Sequence, residues 1–181
     1  MTTVINLFGG SGCGKSTTAA LLFARMKLLG FHVELVREYV KYWAWNDRKV
    51  REWDQLYLLG KQSAYESMLY GKLDYIVTDS PILLAGMYLE FRSNGKDTYV
   101  RDAAEAFMKH AEGQGVVYRN FILKRGKPFD PRGRWENANQ AVELDLFIER
   151  QLNTRGMNPT SIKGPDEQRD FEILGELNLT E

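Results

Sequence analysis

The sequence has one cysteine, two histidines and no net charge, and each shortage excludes something. Cys13 alone cannot close an internal disulfide, which rules out a disulfide-stapled secreted scaffold. His32 and His110 stand far apart in the chain and, with a single cysteine, make no zinc-ligand spacing. The 24 Lys and Arg residues cancel 24 Asp and Glu residues, leaving no global basic field for a long polyanion. No apolar run reaches the roughly 20 residues that span a bilayer. The opening Met1-Thr2-Thr3-Val4 also lacks the basic region of a secretory signal. A reduced, zinc-free, cytoplasmic protein with no membrane partner is the expectation. What is present suits a globular chain: 181 residues, 44% hydrophobic and 12% aromatic, enough for one domain over 1–181.

Short apolar runs alternate with helical periods. Val4–Phe8 reads as a buried strand, and Lys15–Leu29 as a helix with Ala19, Leu22, Phe23 and Met26 on one face. Phe31–Val36 reads as a second strand, a helix is expected over about 47–69, and Leu73–Thr78 reads as a third strand ending at Asp79. Helices are expected over 82–91 and 98–111, a fourth strand over 115–123, and a helix over 137–152. A short strand over 160–162 and a closing helix over 166–177 complete the pattern. This order implies an α/β fold: a parallel sheet of about five strands, helices on both faces, and a ligand at the carboxyl ends of the strands.

Gly9-Gly10-Ser11-Gly12-Cys13-Gly14-Lys15-Ser16 matches the phosphate-loop pattern of Gly, four residues, Gly, Lys, then Ser or Thr, at a strand-to-helix junction. Glycines let the backbone turn its N–H groups onto phosphate oxygens, and the helix N-terminus adds positive potential. Residues 10–17 are thus expected to bind a nucleoside triphosphate, with Lys15 on the β and γ phosphates. Ser16 is expected on magnesium, while Thr17 continues the loop into the helix. Asp79, at the end of the third strand, is the second candidate for magnesium; a helix N-cap is its plainer role. Glu38, at the end of the second strand, is placed to take a proton from an acceptor hydroxyl, or else to make a strand-end salt bridge with Arg37. Tyr39, Tyr42, Trp43 and Trp45 follow, either as a stacking platform for a planar base or as core.

The segment 124–136 is rich in Gly, Pro and basic residues and reads as a mobile cationic lid, with Arg132 and Arg134 as catalytic candidates or simply a solvated loop. Arg92 and Arg101 are weaker candidates for holding an acceptor phosphate.

The variant Gly12-Cys13-Gly14-Lys15-Ser16-Thr17 resembles the P-loop kinases of the P-loop NTPase fold. More narrowly, Arg37-Glu38-Tyr39, Thr78-Asp79-Ser80 and Pro131-Arg132-Gly133-Arg134 resemble the AAA-type ATP-binding family that includes the ribosylnicotinamide kinase domain. Small members of that family are frequent in bacteriophages, so the resemblance implies a viral protein acting in host cytoplasm. It also implies that Lys163 and Arg169 lie near the adenine. Deoxynucleoside kinases are similar in placing a glutamate base where Glu38 stands, although Ser80-Pro81 replaces their Arg-Ser pair and leaves the acceptor open. The implied activity is transfer from ATP, with Mg2+, to a nucleoside or nucleotide acceptor, in a chain that could form a homodimer. The alternatives are phosphorylation of a hydroxymethylated base within DNA and a P-loop ATPase switch moving a protein partner.

Overall fold

The computed structural model describes residues 1–126, 128–132 and 134–179. Five strands form one wholly parallel sheet in the order β2-β3-β1-β4-β5. They are β1 (Thr2–Phe8), β2 (Val33–Val36), β3 (Tyr75–Thr78), β4 (Val116–Leu123) and β5 (Thr160–Ile162). The helices are α1 (Lys15–Leu28), α2 (Lys41–Trp45), α3 (Asp54–Ser67), α4 (Ile82–Arg92), α5 (Tyr99–Gly113), α6 (Ala138–Thr154) and α7 (Arg169–Glu176).

Strand side chains alternate between two apolar layers, which is why the central strands read as continuous hydrophobic runs. Ile5, Leu7, Val77, Phe121 and Leu123 pack on one side against Leu22 and Met26 of α1 and Ile173 and Leu174 of α7. Phe8 and Ile122 pack on the other against α4, α5 and α6 through residues such as Leu83, Met108 and Leu144. Covered on both faces, the sheet opens to ligand only at its strand ends.

The expected helix over 47–69 starts later and ends slightly earlier, as α3, and the aromatic stretch before it forms a short helix, α2, that was not expected. The chain makes the short α2, then an irregular turn with Asp47 at φ 51°, then α3. The Asp54 carboxylate accepts from the Arg51 N–H at 2.9 Å and fixes the turn that starts α3. The closing helix is shorter than expected, and 124–136 has no helix or strand among its described residues. No helix among the described residues is long and apolar enough to cross a membrane.

Candidate active site

β1 delivers the chain into the loop 9–14, and α1 begins at Lys15. Gly14 is the N-cap at φ 97°, a left-handed conformation, and a Cβ there would lie 2.7 Å from Arg169 Nη1. Both facts require glycine. The first intrahelical bond runs from the Thr18 N–H to the Gly14 carbonyl, so the N–H groups of Lys15, Ser16 and Thr17 have no helix partner and form an anion-binding helix start.

The loop is held in place by side chains from distant elements. The Gly10 N–H donates to Asp145 Oδ1 of α6 at 2.5 Å. Arg125 Nε donates to Asp145 Oδ2, and Arg125 Nη2 to the Ser11 carbonyl, each at 2.9 Å. Fully buried Arg169 donates to the carbonyls of Cys13, Lys124 and Gly164 at 2.7, 2.5 and 2.9 Å and pairs with Asp166 at 2.7 Å. Arg169 therefore ties the phosphate loop to the ends of β4 and β5.

Lys15 Nζ donates to the carbonyls of Gly9 and Gly10 at 2.7 and 2.9 Å, which uses two of its three N–H bonds. Burial disfavours its ammonium, but the field of Cys13, Tyr88, Glu38 and Asp79 outweighs this and moves its pKa upward, so it stays charged. The Glu38 pKa is raised as well: burial and the negative Asp79 hold its carboxyl above the usual carboxylate range, against Lys15, Lys41 and Arg134. Asp79 Oδ1 accepts the Glu38 N–H at 2.8 Å and locks the ends of β2 and β3 together. The expected N-cap role of Asp79 is not seen: α4 is capped at Pro81 without a side-chain hydrogen bond. Nor does an ion pair join Glu38 to Arg37 among the described residues.

A cavity of about 170 Å³ runs from Gly12, Gly14, Lys15, Ser16 and Thr17 past Glu38 to a wall made by α3, α4 and residues 134–136. Two oxygen donors would hold magnesium here: the Ser16 hydroxyl on the cavity wall and the Asp79 carboxylate, which is buried at the end of β3 and is not part of the wall. The Ser16 hydroxyl has no hydrogen-bond partner among the described residues and lines the cavity, and Asp79 keeps Oδ2 without a protein partner. A hydroxyl and a carboxylate oxygen of this kind suit a hard cation that retains several waters.

The other expected residues divide. Tyr39, Arg92 and Arg134 line the cavity. Arg134 lies across the phosphate loop, donating to Ser11 Oγ at 3.2 Å, while Arg92 pairs with Glu136 at 3.3 Å. Arg132 does not reach the cavity; it is highly exposed and its guanidinium is held by Asp130 at 2.7 Å. Lys127 and Gly133 of the same segment lie outside the described residues. Arg101 is engaged by Glu90 at 2.9 Å, away from the cavity. The expected stacking platform is not assembled: Trp43 is buried between the Arg48 guanidinium, 3.4 Å from its ring centre, and the stacked ring of Tyr57, while Tyr42 and Trp45 point to solvent. Lys163 is exposed, outside the cavity, and its N–H meets Glu172 at 3.3 Å.

Three wall residues went unread in the sequence. Gln55 and Gln62 lie seven residues apart on the inner face of α3, both buried and both lining the cavity. Gln62 Nε2 donates to Thr78 Oγ1 at 3.3 Å, whereas no described residue bonds the Gln55 side-chain amide. Tyr88 of α4 faces them close to Lys15 and Glu38, and burial drives its pKa upward. The available signal was the seven-residue spacing of Gln55 and Gln62, two turns apart on one side of α3; nothing in the sequence singled out Tyr88.

A parallel sheet with a glycine-rich loop at the carboxyl end of β1, a lysine at the start of the next helix and a carboxylate at the end of β3 defines a P-loop NTPase fold. The chain belongs to the AAA domain family, whose profile matches residues 4–169. Among solved structures it is similar to deoxyadenosine kinase from M. mycoides with bound dATP, at 18% identity and a TM-score of 0.58, over 97% of this chain and 98% of that one. It is also similar to the APS kinase of Mycobacterium tuberculosis in complex with AMPPNP and APS, at 12% identity and a TM-score of 0.56, over 98% of each chain. At these identities the likeness is one of fold. No curated protein sequence matches the chain.

Proposed function

We propose that this protein is an ATP-dependent kinase that transfers the γ-phosphoryl group to a hydroxyl or phosphate of a nucleoside or nucleotide-type acceptor. The observation that carries this reading is the position of Glu38, on the cavity wall between the phosphate loop and the α3–α4 wall. The loop amides and Lys15 hold the triphosphate, while Glu38 orients an acceptor hydroxyl and takes its proton. Magnesium, held by Ser16 and through water by Asp79, would neutralise charge on the phosphates. Arg134 supplies positive charge from the opposite side of the loop, where charge spreads in the transition state. The wall of Gln55, Gln62 and Tyr88 offers amide hydrogen bonds and an aromatic ring to one planar base.

A ribosylnicotinamide-type acceptor, a bacteriophage source and a place in host cytoplasm belong to the same reading, supported by the Arg37-Glu38-Tyr39 and Thr78-Asp79-Ser80 segments. The test is transfer from γ-labelled ATP with magnesium to a panel of nucleosides, nucleoside monophosphates, nicotinamide riboside and oligonucleotides with hydroxymethylated bases, beside a control without acceptor. Label in one small acceptor supports the reading. Label in the oligonucleotides moves the acceptor to DNA, and acceptor-independent phosphate release replaces the kinase with an ATPase.

A further inference from the structure

The active-site cavity does not end at the wall of Gln55, Gln62 and Tyr88. Val50, Tyr88, Arg92, Trp135 and Glu136 line it and also line a second, open cavity of about 380 Å³. No residue of the phosphate loop reaches this outer cavity, whose further lining includes Lys49 and Phe91. Lys15 and Glu38 belong to the inner cavity alone, Tyr88 and Arg92 to both, and Lys49 to the outer one alone. Arg92 follows Tyr88 by one turn of α4, so the two cavities are consecutive stretches of one path leading away from the phosphate loop.

The outer cavity carries two cations and one acid. Lys49 is exposed and has no hydrogen-bond or ion-pair partner among the described residues. Arg92 gives one N–H to Glu136 at 3.3 Å, and its other N–H groups have no partner among the described residues. Glu136 offsets one positive charge, which leaves the cavity cationic, and the free side of the Arg92 fork matches the geometry of a phosphate. The rings of Tyr88, Phe91 and Trp135 supply apolar wall beside these charges, as an organic phosphate requires and a bare anion does not. We infer that the outer cavity binds a phosphate that the acceptor already carries, so that the acceptor is a nucleoside phosphate and receives the new group on a hydroxyl at its other end. This rests on the kinase reading. With its phosphate held between Arg92 and Lys49, the acceptor presents that hydroxyl, and not the phosphate, to Glu38. The hydroxyl oxygen forms a bond to the γ-phosphorus, the bond from that phosphorus to the β–γ bridging oxygen breaks, Glu38 takes the hydroxyl proton and ADP leaves. The product carries two phosphates at separate positions, not a diphosphate. The same chemistry serves a free nucleotide and a nucleotide flanked by the phosphates of a short strand.

The test compares thymidine, hydroxymethyldeoxyuridine and nicotinamide riboside with their monophosphates, and with trinucleotides holding each deoxynucleoside in the middle, as acceptors from ATP. The phosphorylated acceptors are expected to exceed the nucleosides in kcat/KM by about 10-fold or more, as one charge-assisted contact or two allow. Phosphorus NMR of the product is expected to show no coupling between phosphates. Lys49→Ala and Arg92→Gln should each lower kcat/KM for the phosphorylated acceptor by about 5–10-fold, the worth of a partly exposed charged contact, and so narrow its lead over the nucleoside. Calorimetry with AMPPNP present should show the same loss in monophosphate binding. A lead of the trinucleotides over the monophosphates supports the inference and puts the bound phosphate in a strand. Nucleosides that serve as well as their monophosphates, variants that cost both equally, or a diphosphate product overturn it. Absence of transfer to every acceptor overturns the kinase reading instead, and calorimetry then decides the outer cavity by itself. Monophosphate binding weakened in Lys49→Ala sustains the site; binding that is absent, or unchanged in that variant, removes it.

Discussion

The phosphate-loop end of the cavity and its acceptor end are made of different material. At the loop end the functional groups are backbone amides and one lysine, carried on consecutive residues and pinned from behind by Arg169, Arg125 and Asp145. At the acceptor end they are side chains drawn from the stretch after β2, α2, α3, α4 and residues 134–136, segments far apart in the chain. Binding a triphosphate needs an array of N–H groups that a short sequence can encode locally. Recognising one acceptor needs a shape, and shape comes from packing. The loop end is accordingly expected to be rigid and intolerant of change, while the acceptor end takes substitutions that alter specificity without disturbing the fold.

Substitutions at each end sharpen that contrast. Arg169→Met leaves Asp166 and three carbonyls facing a buried thioether and should lower stability by about 3–5 kcal/mol, the usual cost of breaking a buried pair; urea unfolding reads it. Lys15→Ala should reduce transfer by about 10²–10³-fold in steady-state assays, as loss of one preorganised charge on the transferring group does, while the melting temperature stays near that of the wild type. At the far end of α3, Glu66 is buried with Oε1 accepting from the Tyr70 hydroxyl at 2.6 Å, and burial pushes its carboxyl up to about 7. Its folded form binds the proton more tightly than the unfolded chain, so stability should fall as pH rises from the ordinary carboxylate range through about 7. Glu66→Gln should remove that slope, gaining about 2 kcal/mol over wild type at pH 8 relative to pH 5, by the conversion of a pKa shift to free energy. Gln55→Leu should raise the acceptor KM by about 5–10-fold, the worth of one hydrogen bond, and leave the KM for ATP unchanged.

The same contrast explains what could be read beforehand. The loop, Lys15, Ser16, Asp79 and Glu38 were legible because each follows a short apolar strand, and a strand's end fixes where the next residue lies. β5 was legible over 160–162 for the same reason. The short α2 and the late start of α3 were not: with Trp53, Leu56 and Tyr57 on the outside and Leu58 and Leu59 on the inside, the apolar pattern marks no helix start. Whether Trp43 would stack on a ligand or join the core, and which of Arg132 and Arg134 would reach the cavity, was not legible, because nothing local tells that Arg48 and Tyr57 cover the ring or that Asp130 holds Arg132. Arg134 and Arg132 are equivalent in sequence and differ only in what folds beside them.

The central claim is that Glu38 acts on the acceptor and not on the nucleotide. Its raised pKa gives the claim a signature, because the ionised carboxylate is the working form. In the wild type, kcat for transfer should rise with pH along an acid limb whose midpoint lies above the usual carboxylate value. Glu38→Gln should lower kcat by about 10²–10⁴-fold, the range of general-base catalysis, flatten the limb and leave ATP binding intact. Transfer by Glu38→Gln at the wild-type rate, with the acid limb in place, would contradict the account.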